Sequence, residues 1–229
     1  MNRFLIGFGG VLLLALGAFF VFAPAWVERD LNVVDDLPLP PVSEEARALH
    51  ETLVIVDLHG DTLLWKRDML EAADRGHIDL PRLQEGNVAL QVFSSVTKTP
   101  RGQNYENNTD ETDNITLLAF GQLQPLRTWT SLLERTLYHG KKLDLAVEVS
   151  GGGMTLVRST TDIVPVRAPD RVDPPVAAML SVEGLHNLEG DIGNLDVLYD
   201  AGVRMAGLTH FFDNELAGSM HGVAKGGLT

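Results

Sequence analysis

Leu53-Val54-Ile55-Val56-Asp57-Leu58-His59-Gly60-Asp61-Thr62-Leu63 is the stretch on which the fold turns. Its first five residues form a short, continuous, largely β-branched run without polar alternation, the pattern of a strand buried on both faces. In extended chain, side chains two apart project to the same side, so His59 and Asp61 can converge on one cation. An imidazole with a carboxylate suits Zn²⁺. Gly60 between them leaves room for close approach of a metal or substrate. A lone His-x-Asp pattern arises by chance, and its place directly behind a hydrophobic strand is what gives it weight.

Three more buried strands are expected outward from this one, over 88–95, 176–183 and 203–209. Helical spacing fills the gaps over 63–74, 110–138 (in one piece, or in two broken at Pro125) and 188–201. Gly151-Gly152-Gly153 reads as a turn, because no Lys-Ser/Thr pair follows it as in a phosphate loop. Buried strands alternating with helices predict an α/β fold of parallel βαβ units. The carboxyl ends of such strands form the ligand face.

The third strand ends Ser181-Val182-Glu183-Gly184-Leu185-His186. A carboxylate directly after an apolar strand is costly near a core unless it is paired, so Glu183 is either a site residue, a helix cap or half of an ion pair. His210 closes the fourth strand as a ligand, a substrate contact or a satisfied core histidine. His139 falls at a helix end, where a cation is favourable.

Before the first strand, 4–23 is apolar and free of charge, long enough to span a bilayer. Ala23-Pro24-Ala25 also resembles a signal-cleavage site, and a buried core helix is the third reading of the run. Arg3 precedes it, and Glu28, Asp30, Asp35 and Asp36 follow, with Arg29 the lone base among them. The positive-inside rule counts the bases and not the acids, and with one Arg on each side it gives only a slight bias toward an exported remainder on a single-pass anchor. The division is 1–27 as transmembrane anchor or signal, 28–43 as an acidic Pro-rich linker, and 44–229 as the folded part, opened by Ser43 as a helix cap. With 18 basic against 31 acidic residues and a formal charge of −13, nucleic acid is not an expected partner. The absence of cysteine rules out thiolate metal sites and disulfides.

Five ordered motifs carry a family resemblance: Asp57-Leu58-His59-Gly60-Asp61-Thr62-Leu63; Asp79-Leu80-Pro81-Arg82-Leu83 with Gly86; Gln91-Val92-Phe93-Ser94-Ser95; Val182-Glu183-Gly184; and Val203-Arg204-Met205-Ala206-Gly207-Leu208-Thr209-His210. Together they resemble the first half of the membrane dipeptidase (renal dipeptidase) family of zinc peptidases, peptidase family M19. The resemblance implies a (β/α)₈ TIM barrel of the metal-dependent hydrolase type carrying two zinc ions. It implies that His59 and Asp61 bind the first zinc, and that Glu183 bridges both and is the catalytic residue. His186 and His210 are then substrate contacts or lie just behind the ligands. The implied reaction is hydrolysis of dipeptides by a metal-bridging hydroxide, with the membrane as second partner and a homo-oligomer compatible with it. About four of eight strands are expected, without the two later histidines of the second zinc, so the chain is read as an incomplete barrel with little activity of its own. The rival readings are another amidohydrolase-type reaction on the same barrel and a non-catalytic, membrane-tethered binding fragment.

Overall fold

Five strands pair in parallel throughout the computed structural model, which describes residues 2–35, 37–163 and 175–229, with side chains from residue 7 onward. Met1 and Asp36, counted above with the anchor and the linker, lie outside the described residues. The strands are β1 Ile55–Asp57, β2 Val88–Ser95, β3 Met154–Leu156, β4 Val176–Val182 and β5 Val203–Ala206. β1 pairs with β2, and β2 with β4. The opposite edge of β4 takes β3 along its first half, Met154 against Val176, and β5 along its second, Leu180 against Val203. The four expected strands are present. The fifth, β3, is only three residues long and follows the Gly151–Gly152 turn, whose φ angles of 63° and 91° suit glycine.

Both sheet faces are covered along β2 and β4, whereas β1, expected to be buried on both faces, is an edge strand with Val56 exposed. Phe93, Val176, Ala178, Leu180 and Val182 pack on one side with Leu80 and Leu83 of α3 (Leu80–Glu85) and Leu143 and Ala146 of α5 (Leu132–Val149). Leu90, Val92 and Ala177 pack on the other with Val157, Met179 and Met205. Side chains alternate along a strand, so positions 177, 179 and 181 share a face that continues to Glu183 just beyond β4. Ser43 caps α2 (Glu44–Thr52) as expected, its Oγ accepting the Ala46 N–H at 3.2 Å.

The helix expected over 63–74 does not form; one 3₁₀ turn, Thr62–Leu64, stands in its place. Leu63 and Met69 enter one apolar cluster while Leu64 and Trp65 enter another, an arrangement that a single helical face cannot supply. The turn's carbonyls are taken from outside: Lys142 Nζ donates to Leu63 and Trp65 at 2.6 Å each, and Gln122 Nε2 to Leu64 at 3.1 Å. The 110–138 segment is broken at Pro125, into α4 (Asn114–Gly121), a 3₁₀ turn at Leu126–Trp129 and the start of α5. At the amino end, α1 runs Asn2–Leu31 and so takes in the first residues of the segment read as linker. Glu28 explains the extension: buried, it faces Arg75 at 3.3 Å and Arg67 at 4.0 Å, and Asn32 Nδ2 donates to its carbonyl at 2.8 Å.

His139 does not end a helix. It lies inside α5, fully buried, with Nδ1 2.8 Å from Ser95 Oγ, and burial pushes its pKa down to about 3. The unfolded chain protonates it near 6.5, so stability falls as pH drops from about 6.5 toward 3. From pH 7 to 5 the expected loss from this ring is about 2 kcal/mol. His139→Asn, which keeps a polar atom near Nδ1, should remove that share, read as the difference in urea midpoint between the two pH values. An equal loss in the variant would assign the acid sensitivity elsewhere.

Candidate metal centre

β1 ends at Asp57, whose Oδ1 accepts the His59 backbone N–H at 3.1 Å and turns the chain out of the sheet. The Ser94 N–H donates to the Gly60 carbonyl at 2.8 Å, pinning the same loop beside β2. Glu183 follows β4 directly, and its N–H reaches the Ser95 carbonyl at 3.4 Å. All three candidate ligands therefore sit at the carboxyl ends of parallel strands, where α/β folds place their ligands. His59 Nε2 lies 3.1 Å from Asp61 Oδ1 and 3.0 Å from Glu183 Oε1. One ligand atom from each residue falls within 4.8 Å of the others. Glu183 Oε2 faces a second histidine, with His210 Nδ1 at 3.2 Å.

The electrostatics of this cluster suit a cation. Burial, and then the charge of Asp61, pushes the Glu183 pKa up to about 8. Burial also raises Asp61, against the pull of His59. Two neighbouring acids held toward their neutral forms are the expected state of a carboxylate pair without its counter-ion, and a divalent cation reverses that shift. Asp61 Oδ1 and His210 Nδ1 are buried without a hydrogen-bond partner. Burial pushes His210 down to about 4, so at neutral pH its ring is uncharged and keeps a free lone pair. Nitrogen and carboxylate oxygen donors with unused valence fit zinc.

His186 is buried beside this cluster but is directed to other partners. Its Nε2 lies 2.7 Å from Thr97 Oγ1, its ring packs 4.8 Å from Phe212, and burial lowers its pKa to about 3. Gly184 makes that packing possible, since a Cβ there would lie 2.7 Å from His186 Nδ1. Gly207 lies in the fifth motif, but its packing role was not read from the sequence. A Cβ on it would come within 2.7 Å of the Glu183 carbonyl oxygen, so a glycine is what lets β5 close against the strand end that carries Glu183. Gly60 serves packing as well: a Cβ there would meet Ile78 and Gln91. His221 stands apart, its Nδ1 2.9 Å from the Tyr105 carbonyl and its ring stacked on Phe211.

Comparison with known proteins identifies the family of the chain. Residues 43–229 match the family model of membrane dipeptidase, peptidase family M19. A dipeptidase of Aspergillus oryzae is 27% identical over 178 residues, covering 72% of this chain and 36% of the relative. The probable dipeptidase PvdM of Pseudomonas aeruginosa shares the fold at a TM-score of 0.56 and 18% identity, covering 80% of this chain and 41% of that one. A metallopeptidase of Rhodobacter sphaeroides, liganded with a phosphinate mimic of L-Ala-D-Ala, aligns at a TM-score of 0.53 and 18% identity, covering 74% and 49%. The chain thus spans between about a third and half the length of these relatives. A parallel α/β sheet of the TIM-barrel type and a family model matched from the first capped helix to the last residue lead to one assignment: the chain belongs to the membrane dipeptidase family, peptidase family M19.

Proposed function

We propose that His59, Asp61 and Glu183 hold zinc in a site that hydrolyses dipeptides. The observation that carries this reading is the convergence of the three side chains, from the ends of two strands separated by β2, within 4.8 Å of one another. Zinc bound there would lower the pKa of a water molecule and polarise the scissile carbonyl. Glu183 presents one oxygen to His59 and the other to His210, an arrangement suited to a carboxylate shared between two cations. His210, uncharged and facing the same cavity, orients the substrate. That cavity, of about 430 Å³ and lined by Asp61, Trp65, Glu183 and His210, has room for a dipeptide. The dipeptide mimic held by the Rhodobacter sphaeroides relative supports a ligand of that size. We read α1, long and apolar enough to cross a bilayer, as a single-pass anchor with the folded part on the exported side.

The test is zinc titration and dipeptide hydrolysis with the detergent-purified protein beside its His59→Ala variant. Zinc binding should be lost in the variant, and with it whatever zinc-dependent turnover the chain shows. Turnover that survives His59→Ala, or that is indifferent to zinc, would overturn the reading.

A further inference from the structure

α1 carries a stripe that does not belong to a helix surrounded by lipid. Phe20, Pro24, Val27 and Glu28 recur at the spacing of one helical face, and each meets the folded part. The Phe20 ring lies 5.2 Å from that of Phe120, edge to face. Pro24 covers Gly121, where a Cβ would be 3.4 Å from the proline ring. Val27 packs on Leu64, Trp65, Val96 and Ile115. Glu28 is buried beside Arg67 and Arg75, Arg29 pairs with Asp74 at 3.0 Å, and the Asn32 carbonyl accepts the Gly76 N–H at 2.7 Å. A buried carboxylate among guanidinium groups is costly at bilayer depth, so these turns are built for the protein. Residues 2–19 remain for the membrane, about 27 Å of helix at 1.5 Å per residue. Phe8, Leu12, Leu13, Leu16 and Phe19 among them are exposed.

The docked end reaches the metal centre. Val27 and Leu31 line the same 430 Å³ cavity as Asp61, Glu183 and His210. We propose that the last two turns of α1 form a wall of the substrate pocket, and that Val27 and Leu31 favour a dipeptide with a bulky apolar side chain on that side. The proposal rests on the dipeptide reading above and assigns part of the substrate choice to the anchor helix. Glu28 is its positioning residue: it fixes the wall through Arg67 and Arg75 without touching substrate.

The chain has no cysteine, so Leu31→Cys supplies its one thiol, and Glu148→Cys on the exposed side of α5 supplies a control. Maleimide labelling of the zinc-loaded protein is followed with and without two phosphinate dipeptide analogues, one with a leucine-sized side chain and one with a glycine-sized one, whose binding is measured separately by calorimetry. The bulky analogue should slow labelling at Leu31→Cys about tenfold and leave Glu148→Cys unchanged. Leu31→Ala should weaken the bulky analogue about tenfold, the discrimination that one or two buried methylenes give, and move the small one less than twofold. Glu28→Ala should erase the preference between the two while zinc affinity stays within about twofold. Unchanged labelling at Leu31→Cys with the bulky analogue bound overturns the wall and leaves the dipeptide reading standing. Loss of zinc binding in Glu28→Ala overturns it too, because the helix would then only hold the fold together. Failure of both analogues to bind the unaltered protein overturns the dipeptide reading and the wall with it.

Discussion

Glu183→Gln is expected to lower zinc affinity by at least about 100-fold, since even partners one shell removed from a metal are worth 10- to 100-fold. The amide keeps the volume of the side chain and removes its charge. It also removes the oxygen pair that faces His59 and His210 at 3.0 and 3.2 Å. Stability without metal should move the other way. The native carboxyl is only 10% exposed and pushed up to about 8, so at pH 8 the fold carries the cost of a half-ionised buried acid beside Asp61. A neutral amide avoids that cost, and the metal-free variant should melt at or above the temperature of the unaltered protein. Zinc should then raise the melting temperature of the unaltered protein, because a ligand of the native state stabilises it, and leave the variant where it was. Opposite signs for affinity and stability separate a ligand from a residue that merely supports the fold. A variant that still gains stability from zinc would remove Glu183 from the ligand set.

The candidate cluster was legible where chemistry follows from local geometry. His59 and Asp61 fall two apart behind an apolar strand, and Glu183 is a carboxylate that an apolar strand should not end on unless something answers it. Their meeting was not legible from the residues alone, because it depends on the order β1-β2-β4 and on loops that lean across β2. Periodicity also misread 63–74, where consecutive apolar residues serve two different clusters and the deciding partner, Lys142, lies 79 residues from Leu63. In α1 the apolar residues run all round the helix, so the docking face carries no hydrophobic contrast. Glu28 was its one signal, and it reads as an ordinary flank of a membrane segment until Arg67 and Arg75 are seen beside it. His139 looked terminal because the pattern stopped at 138, whereas α5 continues to Val149 on a half-polar face.

Arg135→Met is expected to destabilise the protein by about 3–5 kcal/mol, the cost of removing one partner from a buried charge pair. Arg135 is 1% exposed and uses all five of its N–H donors. Nε donates to the Thr128 carbonyl at 2.6 Å, and the two terminal nitrogens to Asp113 Oδ2 and Thr116 Oγ1 at 2.6 Å each, to the Trp129 carbonyl at 3.1 Å, and to the Thr97 carbonyl. The guanidinium thereby ties the chain beyond β2, the cap of α4, the 3₁₀ turn after Pro125 and α5 into one unit. Burial alone would raise Asp113, but the hydrogen bonds from Arg135 and Thr116 outweigh it and hold that carboxyl below its usual range. Its share of stability is accordingly present above pH 4 and is lost as pH falls further. Methionine fills the space but leaves Asp113 charged and the Thr97 and Thr128 carbonyls without donors. Lysine cannot replace the fork, so Arg135→Lys should lose most of the same energy. Adding Asp113→Asn to Arg135→Met should recover part of the loss by removing the stranded charge, a coupling visible in a double-mutant cycle of urea unfolding. Additive losses would show that the two side chains act independently and that the pair does not hold these loops together. Most domains have only 5–15 kcal/mol to lose, so an additive result would also mean that the carbonyl bonds, and not the ion pair, keep the carboxyl ends of the strands in place.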